Sequence, residues 1–332
     1  MSIRPLHNLL VTGGLGFIGS AFIRFVLQKT DSRVVNLDAV TYAANFENLQ
    51  ELESHPRYQF VEGNILNEAL VQTICEEEKI QAIVHFAAES HVDRSIDSSR
   101  PFLETNILGT AALLEVVRKF PHIHFHHIST DEVYGSLGKE GFFTEESRYQ
   151  PNSPYSASKA SSDHLVRAYG HTYHLSHTIS HCSNNYGPGQ YPEKFIPLML
   201  RNCLDRKPLP VYGNGGNVRD WIYVDDHVEG IWAVLEKAKS GSVYGFGGGT
   251  EKTNLEMLQL LIEILAEETG TDAKEYVSLI QFVTDRPGHD FRYAIDSSKA
   301  KKELGWIPKI ALKEGLKKTI QERLTSTSTS QK

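Results

Sequence analysis

A chain of 332 residues with 40% apolar and 23% charged residues can bury one large core or two moderate ones, as an ordinary globular protein does. A formal net charge of −7 argues against nucleic acid as the main partner, while leaving room for an anionic ligand held by backbone N–H groups and a few cations. Cys75, Cys182 and Cys203 lack CxxC spacing, residues 1–8 form no apolar leader, and no run approaches the roughly 20 apolar residues of a membrane span, so the expectation is a cytoplasmic protein with no membrane partner.

In chain order, 8–12 reads as a strand, 19–29 as a helix, 33–37 and 58–61 as strands, and 69–78 as a helix. Then come a strand at 82–86, a long helix at 102–119, a strand at 124–129, a second long helix at 156–171 and a strand at 178–182. The alternation predicts an α/β fold, a Rossmann-type doubly wound parallel sheet covered on both faces. After Asn184 prolines and glycines crowd together, which predicts a smaller, loop-rich substrate-binding domain. Segments 221–224, 226–237 and 243–246 resume the strand–helix–strand order and are expected to rejoin the first sheet. The expected division is 1–185 for the nucleotide-binding domain, rejoined by parts of 218–250, and 186–322 for the substrate domain. A disordered tail is expected over 323–332, where 325–332 is a Ser/Thr repeat without apolar residues.

Gly13-Gly14-Leu15-Gly16-Phe17-Ile18-Gly19 follows the first strand and opens the first helix. Such glycines permit a tight turn and let a pyrophosphate approach the backbone, while the helix N-terminus supplies donors and partial positive charge. Asp38, closing the second strand, fits a carboxylate on a ribose 2′-hydroxyl and would repel a 2′-phosphate, so NAD is expected over NADP.

Ser129-Thr130-Asp131-Glu132 puts two adjacent carboxylates at the end of a strand, where open α/β sheets hold their ligands. Tyr155 and Lys159 lie one helical turn apart, and a nearby ammonium favours the phenolate of a tyrosine that is otherwise a poor base. Tyrosine and lysine beside a nucleotide loop point to hydride transfer at a carbinol. The added carboxylate pair, one protonated and one ionised, is what an elimination needs. The predicted chemistry is a dehydration that borrows the nicotinamide and returns it oxidised. The histidines at 122, 124, 126 and 127, and at 171, 174, 177 and 181, have no carboxylate or cysteine at ligand spacing, and no metal is expected. No G-x-S-x-G elbow is visible.

From about residue 9 to 308 the chain resembles the extended short-chain dehydrogenase/reductases and, within them, the dTDP-glucose 4,6-dehydratases. The blocks that carry the resemblance are TGGLGFIGS, FAAESHVDRSI, ISTDEVYG, SPYSASKASSD, CSNNYGPGQYPEKFIP, VYGNGGNVRDWIYVDDH and DRPGHDFRYAID. The resemblance implies cofactor contacts at Gly13, Gly16, Phe17, Ile18 and Gly19, at Asp38, Ala39, Val40 and Thr41, and at Asn64 and Ile65. It extends them to Phe86, Ala87, Ala88, Glu89, Ser90, Thr105, Tyr155, Lys159 and Asn185. It implies Asp131 as acid, Glu132 as base, Tyr155 with Lys159 as the hydride-transfer pair, and Thr130 beside them in the catalytic set. Ser90, Thr130 and Asn184 become substrate contacts. Glu193, Lys194, Phe195, Pro210, Val211, Tyr212, Arg219, Asn254, Asp285, Arg286, Pro287, Gly288 and His289 become a nucleotide-sugar cradle, with Arg219 on the diphosphate. The implied substrate is dTDP-glucose, the product dTDP-4-dehydro-6-deoxyglucose on a dTDP-rhamnose type of pathway, and the implied assembly a homodimer. Asn64 stands where the family has aspartate, Ala39 where a basic residue is usual, and Gly247-Gly248-Gly249 replaces an Asn-Ile-Gly-Gly-like turn. A nucleotide-sugar 4-epimerase would reuse Tyr155 and Lys159 without needing Asp131 and Glu132. A 4,6-dehydratase for another nucleotide sugar and a catalytically idle NAD sensor are the remaining alternatives.

Overall fold

Strands that are followed by helices cannot turn straight back on themselves, so they cross over and pair in parallel. The computed structural model, which describes residues 4–329, realises this over most of its length. It begins β1 (Asn8–Thr12), α1 (Phe17–Lys29), β2 (Arg33–Asp38), β3 (Tyr58–Glu62), α2 (Glu68–Glu77) and β4 (Ala82–His85). There follow α3 (Val92–Asp97), α4 (Arg100–Phe102), α5 (Thr110–Lys119), β5 (His124–Thr130), α6 (Pro154–Tyr173) and β6 (His177–Cys182). Next are β7 (Asn184–Tyr186), α7 (Phe195–Leu204), β8 (Leu209–Tyr212), β9 (Val218–Tyr223), α8 (Val224–Lys237) and β10 (Val243–Phe246). The described chain closes with β11 (Glu251–Thr253), α9 (Asn254–Thr269), α10 (Ala273–Val277), β12 (Ile280–Val283), α11 (Ser298–Leu304) and α12 (Leu312–Thr329).

The large sheet runs β3-β2-β1-β4-β5-β6-β10 and is parallel throughout. Alternate residues serve opposite faces. Leu9, Val11, Val34 and Val84 pack on α1 and α8, and Leu10, Val35, Ile83 and Phe125 on α2, α5 and α6. Strand order reverses between β1 and β4, so a crevice opens at the carboxyl ends there. β10 is the edge strand of this sheet, whereas β9 lies in a separate three-stranded sheet, β11-β9-β7, where Trp221 and Tyr223 join a second core.

Four expectations need correction. The strand expected at 221–224 does not rejoin the first sheet, because β9 takes β11 and β7 as its partners. The region after Asn184 is not loop-rich: α7, α9 and α12 build the second core from Met199, Leu200, Met257, Leu261, Leu265, Leu316 and Ile320. The helix expected at 102–119 is interrupted by a π-helical stretch, Leu103–Gly109, ahead of α5. The tail expected to be disordered is helical as far as Thr329, because apolar anchors at Leu316 and Ile320 nucleate α12 and elongation needs only one further bond per residue. Residues 330–332 lie outside the described residues.

Candidate active site

The cavity at the switch point has a volume of about 330 Å³. Its first wall is the glycine turn. Gly13 adopts φ +73°, and a Cβ there would meet the Ala87 backbone at 2.6 Å. A Cβ on Gly19 would meet Gly13 O at 2.4 Å. Gly16 caps α1 without a side-chain bond, so the first-turn N–H groups face the cavity mouth with nothing of the cap in the way. Asp38 receives N–H bonds from Leu15 at 3.0 Å and Val40 at 2.9 Å, one on each oxygen, and each oxygen keeps a lone pair for a hydroxyl. Asn64 turns its Oδ1 to Leu66 N at 2.9 Å. The π-helical stretch brings Thr105 to the wall and aims Asn106 at Glu89, whose N–H and C=O it holds at 2.9 and 3.0 Å. Every cofactor residue expected from the sequence lines this cavity except Val40, which acts through its N–H on Asp38. A glycine cradle, a helix N-terminus and a terminal strand carboxylate form a donor set that fits a dinucleotide.

The floor is made where β5 ends in a single 3₁₀ turn, Asp131–Tyr134. Thr130 caps that turn, accepting from Glu132 N and donating to Asp131 Oδ1, both at 3.3 Å. Asp131 is 2% exposed, and its Oδ2 has no hydrogen-bond partner. Burial above all, then the charges of Glu132 and Asp220, holds its carboxyl well above the usual range, which favours the protonated form of Asp131. Burial raises Glu132 as well, but Arg286, Arg219 and Lys194 pull the other way. Two neighbouring carboxyls are thus set to opposite roles by their surroundings, with Glu132 the one that ionises.

Tyr155 and Lys159 rise from the first turns of α6, which Ser153 and Ser156 start with a reciprocal capping box. Burial, then Glu132, keeps Tyr155 a phenol, opposed by its hydrogen bond with Thr130. Lys159 donates to Ile128 O at 2.7 Å, and burial lowers its ammonium to about 8, opposed by the charge of Asp163. Cys182 closes the floor, its thiol facing Ser129 O at 3.6 Å and accepting from Asn185 Nδ2 at 3.2 Å.

Of the expected substrate residues, Ser90, Thr130, Asn184 and Lys194 line the cavity, and Lys194 Nζ binds Ser90 O at 2.7 Å. The others form a rim or lie behind it. Arg286 pairs with Asp93 at 2.8 Å, and Tyr212 donates to the same carboxylate at 3.3 Å. Glu193 receives Arg94 at 2.9 Å, and that guanidinium lies 3.8 Å over the Tyr42 ring. His289 meets Asp285 at 2.6 Å, beside exposed Pro287 and Gly288. Arg219, 5% exposed, donates to Val218 O and Asp290 O and lies 4.3 Å over Tyr293. Asn254 opens α9 and donates its backbone N–H to Asn217 O, and Pro210 lies in the β8 strand. Val211 and Phe195 turn their side chains into the second core, so at those two positions only backbone could serve a ligand. Sequence reasoning missed Cys182, Ser183, Gln190 and Tyr191 on the wall, although the strand end before Asn184 pointed to the first two. It also missed Asp93 and Arg94, whose partners lie 193 and 99 residues away.

The histidines are taken up by the fold. His124 and His126 share one face of β5 and both reach Thr178 Oγ1, at 2.9 and 2.8 Å. Among the described residues no group of three or more His, Cys, Asp or Glu is arranged to hold a metal ion, and no helix is long and apolar enough to cross a membrane.

Sheet order, glycine turn and a Tyr-x-x-x-Lys helix at the strand ends together define a Rossmann-like, extended short-chain dehydrogenase/reductase class of protein. A family model described as GDP-mannose 4,6 dehydratase matches residues 10–319, and the chain belongs to that family. It is 49% identical over 334 residues to a dTDP-glucose 4,6-dehydratase of Neisseria gonorrhoeae, covering 97% of this chain and 96% of the relative. A crystal structure of dTDP-glucose 4,6-dehydratase from Bacillus anthracis in complex with NAD is similar at a TM-score of 0.89 and 48% identity, over 97% of each chain. A UDP-glucose 4-epimerase from Thermotoga maritima is similar at a TM-score of 0.87 but 30% identity, over 96% of this chain and 99% of that one.

Proposed function

We propose that this protein is an NAD-dependent dTDP-glucose 4,6-dehydratase, a hydro-lyase that makes dTDP-4-dehydro-6-deoxyglucose. The observation that carries the reading is the Asp131–Glu132 pair, one carboxyl held protonated and the other flanked by three cations, beside Tyr155. An epimerase has no use for such a pair. The extent of identity with dTDP-glucose 4,6-dehydratases supports the same choice.

Gly13 to Gly19 and Asp38 would hold NAD, which would supply a hydride acceptor at C4 and a hydride donor at C6. Tyr155, as its phenolate, accepts the proton of the 4-hydroxyl; burial opposes that form, and the Lys159 ammonium one turn away would favour it. The 4-ketone acidifies C5–H, and Glu132 removes that proton. Asp131 gives its proton to the departing 6-hydroxyl and water leaves; Glu132 returns its proton to C5 as hydride reaches C6, and the proton taken up by Tyr155 balances the one Asp131 lost. Ser90, Thr130 and Asn184 hold the sugar, and the rim from Lys194 to His289, with Arg219 on the diphosphate, keeps one ring orientation through all the steps. In this reading residues 1–185 with parts of 218–250 serve the cofactor and 186–322 the nucleotide sugar. The protein works in the cytoplasm on a dTDP-rhamnose type of pathway. It pairs as a homodimer through α6 and through α5 with the π-helical stretch that leads into it, where Leu108 is 56% exposed and Leu103 45%; sedimentation as a monomer at micromolar concentration would refute that part.

The test is incubation of purified protein with dTDP-glucose. The 4-keto, 6-deoxy product should accumulate without added oxidant and without net NADH. Stoichiometric NADH would mark a simple dehydrogenase, and a C4-inverted sugar an epimerase.

A further inference from the structure

Below Lys159 lies a charged group that the proposed chemistry leaves unused. Asp163 is the third member of a series on α6, Tyr155, Lys159, Asp163, spaced by one turn each and therefore on one face. It is 0% exposed. A buried carboxylate is costly unless it is paired and hydrogen-bonded, and Asp163 is richly supplied on Oδ2, while its Oδ1 has no hydrogen-bond partner. Its Oδ2 accepts from Ser129 Oγ at 2.9 Å, Tyr149 OH at 2.8 Å and His181 Nε2 at 2.9 Å, and His127 Nε2 lies 3.3 Å from Oδ1.

These contacts converge on the catalytic floor. Ser129 follows Ile128, whose carbonyl holds the Lys159 ammonium, and precedes Thr130-Asp131-Glu132. His181 reaches through Nδ1 to Tyr134 OH at 3.1 Å, and Tyr134 ends the 3₁₀ turn that carries the acid and the base. One carboxylate thus ties α6 to β5, to β6 and to the acid–base turn. The groups around Lys159 are otherwise poor counter-charges. His127 on β5 and His85 on β4 are held neutral by burial, Cys182 on β6 stays a thiol, and Tyr155 and Asp131 are protonated. Arg167, a turn further along α6, faces Asp163 through Tyr149, to which it donates at 3.4 Å. Glu132 is the other ionisable carboxyl of the floor, and it already answers to Arg286, Arg219 and Lys194.

We propose that Asp163 is a positioning residue for the reaction: the buried counter-charge of Lys159 and the hub that locks the Asp131–Glu132 turn against the Tyr155–Lys159 helix. The inference deepens the proposed function and rests on it only for its kinetic consequence. Burial already lowers Lys159, and Asp163 works against that burial, so removing the charge should drop the ammonium further.

The experiment reads the counter-charge and its kinetic consequence separately. In holoenzyme carrying ¹³Cε-labelled lysine, with the Lys159 resonance assigned through Lys159→Met, Asp163→Asn should move the Lys159 titration down by about one pH unit or more, a tenfold change in its protonation equilibrium. Asp163→Glu should restore most of it. Tyr149→Phe, which removes a hydrogen bond but leaves the charge, should leave the titration in place. In turnover of dTDP-glucose, the alkaline limb of kcat should shift down in parallel in Asp163→Asn and stay put in Tyr149→Phe. A Lys159 titration unmoved in Asp163→Asn overturns the counter-charge. A moved titration with an unmoved kcat limb sustains it and refutes instead the role given to Lys159. If Asp163→Asn does not fold, Asp163→Leu, which needs no hydrogen bonds, takes its place: a lowered Lys159 titration there supports the counter-charge, and an unmoved one overturns it.

Discussion

The floor of the site and its rim are built on different physics. The floor draws on buried groups whose protonation is set by desolvation and a few fixed partners: Asp131 protonated without a partner on Oδ2, Tyr155 a phenol, Lys159 near 8. The rim draws on half-exposed ion pairs that join distant parts of the chain, Arg286 with Asp93 and Arg94 with Glu193. Burial makes the floor rigid and sensitive to single atoms, while water screens the rim and lets it yield to a ligand. Chemistry and binding should therefore separate: substitutions in the floor should fall on kcat, those in the rim on KM.

The largest effect should come from Tyr155→Phe, which removes the base for the first step. Turnover should fall by about 10⁴, and solvent deuterium should no longer enter C5, as mass spectrometry of recovered sugar would register. Glu132→Gln and Asp131→Asn should lower kcat by about 10² to 10³. Both should leave C4 oxidation possible, so that the absorbance of bound NADH builds up after mixing with dTDP-glucose. C5 exchange should survive better in Asp131→Asn, where the base remains; equal exchange in both variants would erase the division of labour between the two carboxyls.

A smaller and graded effect is the pH profile of kcat. Glu132 must be ionised, and burial raises it above the ordinary carboxylate range, so activity should fall as pH drops through that raised value. Lys159 must be charged, so activity should fall again as pH rises through about 8. Arg286→Gln should raise KM for dTDP-glucose about tenfold and, because Arg286 helps keep Glu132 ionised, move the acid limb of kcat up in pH, while kcat on the plateau changes less than about threefold. Arg94→Gln, at an exposed pair, should change KM only about twofold, and that change should vanish in roughly 0.5 M salt. If Arg286→Gln instead cut kcat as deeply as Glu132→Gln, floor and rim would be one device.

The floor was more legible than the rim for the same reason. Gly13 to Gly19, Asp131-Glu132 and Tyr155 with Lys159 are short local patterns whose context, strand end or helix start, can be read from neighbouring residues. The pairs of the rim join residues far apart in sequence, and nothing near Asp93 announces Arg286. Asp163 was hidden likewise, because its partners come from β5, β6 and the segment before α6. The π-helical stretch escaped because Leu103–Gly109 keeps the composition of an ordinary helix while changing its pitch. The helical second core was missed for a different reason: proline and glycine between elements drew attention from the elements themselves. Thr253 and Glu256, a capping box ahead of a long apolar-periodic run, were enough to announce α9.

Cys182 has a consequence for how long the enzyme lasts. Loss of the 6-hydroxyl beside a 4-ketone leaves a conjugated enone, an electrophile that soft nucleophiles attack, and a thiol lines the same cavity. Burial pushes that thiol up to about 12, leaving about one thiolate in 10⁵ at pH 7. Its hydrogen faces Ser129 O and its sulfur takes the Asn185 amide, so the nucleophilic pair is turned away as well as protonated. A thiol on the wall of the cavity is thus held in its least nucleophilic form. A neighbour that lowered the thiol, such as a lysine introduced at Ser183, would convert the catalyst into a target of its own product line, seen as mass added to Cys182 in step with turnover.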